Sequence, residues 1–227
     1  MSRSEQHTRV AGVWLAIAAI VLALVLVFHG PPSPDLGMQM MHIADGSLRW
    51  SIVHWAAAAS LSSFAVAALI VLTADSRLTQ DWLTLSAWAL LPVGALWTTS
   101  TAVSEATVIF DAAVAGDRQV FESWWKYAEG RGNGFAVMAL AFSVIAANEA
   151  RAVDGATPFW ASSIAAIAGV ASFVGWVSGM WLDLVFGGPI WLVGSVVMCL
   201  WLAWFGLSVA RVEAGRVGIR PNAPSSA

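Results

Sequence analysis

Charge is the property this sequence has least of. Charged residues make up 11% of the 227-residue chain and hydrophobic residues 59%, whereas soluble domains carry about 25% charged residues. The formal net charge of −3 is small, and the chain has neither a basic block nor an acidic tail. The composition therefore argues against an ordinary soluble domain and against a nucleic-acid partner, and it predicts that the lipid bilayer is the solvent of this chain.

Cysteine is nearly absent as well. The single Cys199 lies inside an apolar run, so no intrachain disulfide and no cysteine-based metal motif can form. The chain also lacks Gly-x-Ser-x-Gly, His-Glu-x-x-His and Gly-x-x-x-x-Gly-Lys-Ser/Thr, which mark hydrolases, zinc proteases and nucleotide-binding loops. No catalytic residue is predicted, and a non-enzymatic role is the leading expectation.

Long apolar runs fill most of the sequence. A helix crosses a hydrocarbon core of about 30 Å with about 20 residues. Six runs have roughly this length, at 10–28, 50–74, 82–104, 132–148, 159–182 and 189–210. In the fourth run only 134–147 is strictly apolar, so a five-span chain with a re-entrant fourth segment stays open. The predicted fold class is all-α, a six-helix transmembrane bundle forming one domain over 1–210, with a disordered cytoplasmic tail over 211–227.

The positive charges are distributed unequally between alternate connections. Cytoplasmic connections retain Lys and Arg. One side of the predicted bundle carries seven: Arg3, Arg9, Arg77, Arg151, Arg211, Arg216 and Arg220. The other side carries four: Arg49, Arg118, Lys126 and Arg131. The difference predicts a bacterial inner-membrane protein with both termini in the cytoplasm. Because the first run lacks a cleavage site, it is predicted to be an uncleaved anchor.

Tryptophan is unusually frequent, with 14 residues against a single tyrosine. Its ring favours the headgroup level of a bilayer, where the N–H group stays hydrated. Five tryptophans at the edges of apolar runs are predicted to lie there: Trp50, Trp82, Trp160, Trp181 and Trp191.

Two long connections fall on the outer side in this orientation, at 29–49 and 105–131. In the second, Val120, Phe121, Trp124 and Trp125 follow one another at helical spacing among charged residues. This pattern predicts a short amphipathic helix lying on the outer membrane surface.

A polar pocket is predicted at the outer ends of the runs, because ionisable groups inside spans are costly and mark candidate sites. His54 lies one turn inside the second run, and Glu105 ends the third. The predicted pocket, for a small solute of unknown identity, comprises His54, Thr98, Thr101, Glu105, Asp111 and Asp183. In the structural alternative, Glu105 lies at the headgroup level and His54 donates to a carbonyl of a neighbouring helix.

A methionine-rich segment supports a second hypothesis, a copper-handling membrane protein. Thioether and imidazole groups suit Cu(I) and Cu(II) respectively, and the segment offers Met38, Met40, Met41 and His42. Methionine also serves as a flexible apolar filler, which is the alternative explanation.

Haem is disfavoured, because among the histidines only His54 is placed inside a run. The expected partners are the bilayer and either a second copy of the chain or another membrane subunit.

The order of features resembles one family. Residues 9–18 (Arg-Val-Ala-Gly-Val-Trp-Leu-Ala-Ile-Ala), the long loop after the first run, Glu105 late in the third, 188–192 (Gly-Pro-Ile-Trp-Leu) and 200–206 (Leu-Trp-Leu-Ala-Trp-Phe-Gly) are similar to uncharacterised bacterial six-helix membrane proteins, grouped as a domain of unknown function. The resemblance implies a six-helix bundle over nearly the whole chain, and it implies no activity or site residue.

Overall fold

The structure, a computed structural model, describes residues 3–29, 33, 35–74, 76–128 and 133–218, with side chains as far as 211. The described part of the chain is all-α, as predicted. Its helices are α1 (Arg3–His29), α2 (Leu36–Asp45), α3 (Ser47–Thr73), α4 (Trp82–Ser104), α5 (Phe110–Ala115), α6 (Arg118–Lys126), α7 (Phe135–Arg151), α8 (Phe159–Trp176) and α9 (Gly187–Gly218). A 3₁₀ turn (Arg77–Thr79) precedes α4, and π-helical turns follow α4 (Glu105–Ile109) and α8 (Val177–Trp181).

Aspartate side chains begin three of the helices. Asp35 accepts a hydrogen bond from the backbone N–H of Met38 at 2.8 Å at the start of α2. Asp81 does the same at the start of α4, at 3.0 Å from the Thr84 nitrogen. Asp117 begins α6 in the same way. Several of the few acidic residues thus satisfy first-turn N–H groups that have no partner within the helix.

The six long helices form a closed ring. In order around it, α1 packs against α3, α3 against α4, α4 against α7, α7 against α8, α8 against α9, and α9 against α1. Glycines permit the closest crossings: a Cβ added at Gly179 would lie 2.9 Å from the backbone nitrogen of Gly188. Small residues at helix crossings favour association in lipid, where the hydrophobic effect does not drive helices together.

Four helices are long and apolar enough to cross a membrane: Arg3–His29, Ser47–Thr73, Phe159–Trp181 and Gly187–Arg211. The other two long helices, α4 and α7, do not combine length and hydropathy to the same degree. Helix α4 contains Pro92 and has Ser or Thr at five of its last seven positions, and α7 has only 17 residues. The structure therefore supports four of the six predicted spans by length and composition.

The outer surface of the ring is apolar along the long helices. On α1, for example, Leu24 is 54% and Val27 64% exposed. Trp82, Trp160 and Trp181 are exposed. Trp50 is 4% exposed, and Trp191 packs against Phe135 and Trp176. Placement of all five at the headgroup level stays a prediction.

Three short helices cover one end of the ring, and we call this end the cap. Helices α2, α5 and α6 enclose a small second core formed by Ile43, Trp50, Ile109, Ala112, Ala113, Phe121, Trp125 and Ala128. Helix α6 is the amphipathic helix predicted from the sequence, but Phe121 is fully buried and Trp125 is 4% exposed. Val120 and Trp124 are 37% and 40% exposed, so only half of the predicted apolar face packs against protein, and its location on the membrane surface stays a prediction.

The opposite end of the ring, the base, is closed by a buried glutamate. Glu149, at the end of α7, is 2% exposed and accepts hydrogen bonds from Arg77 Nη1 at 2.8 Å and Nη2 at 3.2 Å. Its Oε1 atom also accepts from the backbone N–H groups of Ala156 and Thr157. One carboxylate therefore joins the α3–α4 connection to the α7–α8 connection.

The last helix is longer than predicted. Helix α9 continues through Arg211 to Gly218, whereas the sequence pattern predicted a disordered tail from 211. The polar segment at 211–218 extends the helix because it follows directly on a long apolar one. The remainder of the predicted tail, 219–227, lies outside the described residues.

Candidate functional site: a histidine–glutamate cluster beside an internal cavity

A cavity of about 120 Å³ lies inside the ring, beneath the cap. All six long helices or the turns that follow them contribute to its wall, which is mainly apolar. The polar members of the wall are His29, His54, Thr98, Thr101, Glu105 and Asn133. An apolar enclosure with a few converging polar groups is the usual form of a small-ligand site.

The structure brings four of the six predicted pocket residues to this one cavity: His54, Thr98, Thr101 and Glu105. Asp111 and Asp183 do not belong to it, because both are exposed on the outside of the cap end. Asp111 lies in the first turn of α5, directly after the π-helical turn. Asp183 lies in the turn between α8 and α9, with a φ of 53°.

The predicted copper ligands all lie on α2. Met38, Met41 and His42 are three and four residues apart, so they share one exposed face of the helix, and Met40 lies on the other side. Met40 packs against the second core, while Met38 and Met41 are 53% and 60% exposed. The His42 ring contacts Arg49, with 2.7 Å between Nε2 and Nη2. Met40 therefore serves as an apolar filler, and the copper hypothesis stays a prediction.

His54 is oriented by the backbone of its own helix. It is 3% exposed, and its Nδ1 lies 2.8 Å from the carbonyl oxygen of Trp50. Because a carbonyl oxygen can only accept, Nδ1 carries a proton and donates it. The structural alternative expected such a bond to a neighbouring helix, but it is made one turn back within α3. Nε2 is thereby directed to Glu105, with which it forms an ion pair.

Trp50 holds both members of this pair. Besides accepting from His54, it donates from its indole Nε1–H to the backbone carbonyl oxygen of Glu105 at 3.0 Å. Its ring centroid lies 4.1 Å from that of His54. Trp50 therefore links the start of α3 to the end of α4 at the point where the two ionisable side chains meet.

The contact between His54 and Glu105 requires a proton or a cation. With one proton on Nδ1, a neutral His54 ring presents a lone pair at Nε2, and a carboxylate oxygen facing a lone pair is repelled. A second ring proton, a proton on the carboxyl group or a metal ion each removes the repulsion.

His29 completes the cluster. It is the last residue of α1, and its ring centroid lies 5.0 Å from that of His54 in an edge-on arrangement. One ligand atom from each of His29, His54 and Glu105 lies within 4.8 Å of the others. His29 was not part of the pocket predicted from the sequence. Its position directly after the first apolar run was the available signal.

The two threonines play a lesser part. Thr98 donates to the carbonyl oxygen of Gly94 at 2.8 Å, and Thr101 donates to that of Thr98 at 2.8 Å. Their hydroxyl protons are thus used within α4, which leaves them as acceptors toward the cavity. Asn133 Oδ1 accepts from the backbone N–H of Phe135 and begins α7.

Two further features of the wall could not be read from the sequence. Each π-helical turn borders the cavity, one through Glu105 and the other through Met180, and such turns are frequent at functional sites. In addition, the buried indole N–H groups of Trp125, Trp176 and Trp191 have no acceptor among the described residues, although all three side chains line the cavity. Unsatisfied buried donors are rare enough to require an explanation.

No protein-family model, curated protein or solved structure matches this chain. Its class therefore follows from its own fold. It is an all-α protein with four helices long and apolar enough to cross a membrane. Within its ring of helices it holds a histidine–glutamate cluster beside an internal cavity.

Proposed function

We propose that this chain is a multi-pass inner-membrane protein that binds a small solute in the cavity beneath its cap, as an accessory, sensory or solute-handling component rather than an enzyme. The observation that carries the proposal is the ion pair between His54 and Glu105 on an otherwise apolar internal wall. Ionisable groups at such positions are expensive to bury, and in membrane proteins they mark ligand and ion pathways.

The proposal includes six spans. Helices α4 and α7 occupy adjacent places in the ring and run between cap and base beside helices that are long and apolar enough to cross. At 1.5 Å per residue, α7 is about 26 Å long, close to the hydrocarbon thickness of about 30 Å. The kinship with the uncharacterised bacterial six-helix family is part of the same proposal.

The proposed orientation places the cap outside and the base in the cytoplasm. Arg77 and Arg151 lie at the base, on the side that carries more Lys and Arg. The cavity lies at the other end of the ring, beneath the cap. In this orientation a solute enters from outside, and the closed base separates it from the cytoplasm.

Cysteine labelling tests both the cavity and the orientation. In a Cys199→Ala background, Thr101→Cys places a thiol of similar size on the cavity wall. A small methanethiosulfonate reagent added to intact cells is expected to modify it. Ser172→Cys is the matched control, because Ser172 is fully buried between α8 and α9, bonded to Ser195 and away from the cavity. This control is expected to react only after denaturation.

A second control reports on the side of the membrane. Val153 is 99% exposed in the connection at the base, so Val153→Cys is expected to resist an impermeant reagent in intact cells and to react in opened membranes. If Thr101→Cys stays unmodified in the folded protein, or reacts no faster than Ser172→Cys, the proposed solute cavity is refuted.

A further inference from the structure

We propose that His29, His54 and Glu105 bind a divalent transition-metal ion of the zinc type at the wall of the cavity. The inference rests on the proposed function, because it identifies the group in that cavity to which a solute would bind. It differs from the copper hypothesis of the sequence analysis, since no residue of the methionine segment takes part.

The ligand set has the required chemistry. Two imidazoles and one carboxylate are the protein ligands of many zinc sites that leave a fourth position open. The same ligands come from the ends of three different elements, α1, α3 and the π-helical turn after α4. The ends of these elements are held together by the ring and the cap, so the ligands converge without depending on a single flexible loop.

The environment of His54 is that of a metal ligand. Histidines that bind metals usually donate their second ring N–H to a carbonyl or carboxylate, which fixes the tautomer. His54 does so through Nδ1 to the carbonyl oxygen of Trp50. The other nitrogen, Nε2, is buried and pairs with Glu105 Oε2. A metal ion at this site would take the place of the proton that the pair shares.

The distances require only a small adjustment. Ligand atoms around a tetrahedral zinc ion lie about 3.4 Å apart, given bonds of about 2.1 Å. The three candidate atoms already lie within 4.8 Å of one another. His54 Nε2 and Glu105 Oε2 are in contact, so they must separate slightly to admit the ion, while His29 moves closer. His29 ends its helix, so a change in its side-chain torsion angles closes the site without moving the ring.

The open coordination position gives the solute a chemical class. It faces a cavity whose wall includes Trp125, Trp176 and Trp191, each with an indole N–H that has no acceptor among the described residues. A metal ion and N–H donors both favour oxygen acceptors. The solute class that fits is a small molecule bearing a carboxylate or carbonyl group.

Cobalt is a suitable probe, because Co²⁺ takes the place of zinc and absorbs visible light strongly when its coordination is tetrahedral. Purified protein in detergent, stripped with chelator, is titrated with Co²⁺. The wild type is expected to bind one ion per chain with the intense absorption of a four-coordinate site. His29→Ala and Glu105→Gln are expected to abolish this spectrum. His42→Ala, which removes an imidazole from the cap surface, is expected to leave it unchanged.

Two further variants separate ligand roles from structural ones. Trp50→Phe keeps an aromatic ring beside His54 but removes the indole donor to Glu105, and it is expected to weaken Co²⁺ binding about tenfold, as loss of an outer-shell partner does. His29→Cys, in the Cys199→Ala background, replaces an imidazole with a thiolate. A new near-ultraviolet thiolate-to-Co²⁺ band would then identify position 29 as a ligand even if other variants fold poorly.

The inference is overturned if the wild type shows only the weak spectrum of hydrated Co²⁺, if Glu105→Gln retains the wild-type spectrum, or if His29→Cys produces no thiolate band. These outcomes are independent of the cysteine labelling of the cavity. Labelling of Thr101→Cys without Co²⁺ binding supports the solute cavity and refutes the metal site. Co²⁺ binding without labelling supports the metal site and refutes the solute cavity.

Discussion

A glutamate lies inside each end of the bundle, and the groups around its carboxylate differ between the two ends. At the base, Glu149 is held by both guanidinium nitrogens of Arg77 and by two backbone N–H groups. Beneath the cap, Glu105 meets the imidazole of His54, with His29 nearby, and its side chain is 17% exposed. Both oxygens of the first carboxylate accept from fixed donors, while the second carboxylate borders a cavity.

The difference separates a structural contact from a candidate site. A guanidinium group does not lose its proton in proteins, so Arg77 is a permanent cation at the base. Imidazole nitrogens are common metal ligands, so the cluster beneath the cap offers ligand atoms that the base does not. Burial of a glutamate is common to both, and the identity of the partner decides which of them can respond to a ligand.

The largest effect is expected from removing the ion pair between Arg77 and Glu149 at the base. Arg77→Ala leaves Glu149 buried without its cation, and loss of one partner of a buried ion pair costs about 3 kcal/mol or more. We expect a clear fall in the thermal unfolding temperature of the purified protein. Glu149→Gln is the control, because its amide oxygen still accepts from Thr157 while the half-buried Arg77 turns to solvent. The double variant should be more stable than Arg77→Ala alone, and equal stability would contradict this account.

A smaller effect is expected from the matching change beneath the cap. Glu105→Gln removes a charge, but its amide N–H donates to the lone pair of His54 Nε2, so the metal-free protein should change in stability by less than about 1 kcal/mol. Zn²⁺ should raise the unfolding temperature of the wild type by binding the folded state alone, and it should not affect this variant. A loss as large as that of Arg77→Ala would show that the cluster is structural.

The smallest effect is expected in the stability of the protein at low pH, through the Asp81 carboxyl at the start of α4. The backbone N–H of Thr84 donates to Asp81 and lowers the pKa of this carboxyl below its ordinary value of 3.8. Because the folded-state pKa is the lower one, the stabilisation is present above pH 3.8 and is lost as the pH falls through the folded-state value. Asp81→Asn still caps the helix. It should unfold like the wild type at neutral pH and lose less stability on acidification, as followed by circular dichroism.

Much of the fold could be predicted because apolar runs of helical length have few alternatives in lipid. The all-α class follows from this, as do the four helices that are long and apolar enough to cross. The amphipathic pattern around Phe121 also predicted a helix correctly. Burial of Phe121 and Trp125 in the cap was not predicted, because periodicity identifies an apolar face but not the surface against which it packs.

The site was partly predictable for a similar reason. His54 and Glu105 are conspicuous as ionisable residues at the ends of apolar runs, and the structure places them in contact. Asp111 and Asp183 are also acidic residues near the ends of apolar runs, but in the structure both lie in turns or short helices where their side chains are exposed. Glu149 was not predicted at all, because its partner Arg77 is 72 residues away in the sequence.

By itself, the sequence determined that the chain is helical and suited to a bilayer, since a low charge content and long apolar runs leave few other ways to satisfy the backbone in lipid. Only the tertiary structure decided which ionisable groups meet. Contact between Glu105 and His54, or between Glu149 and Arg77, depends on the order of helices around the ring and on the depth at which each helix ends. Local sequence does not encode either quantity, because both arise from packing between distant segments.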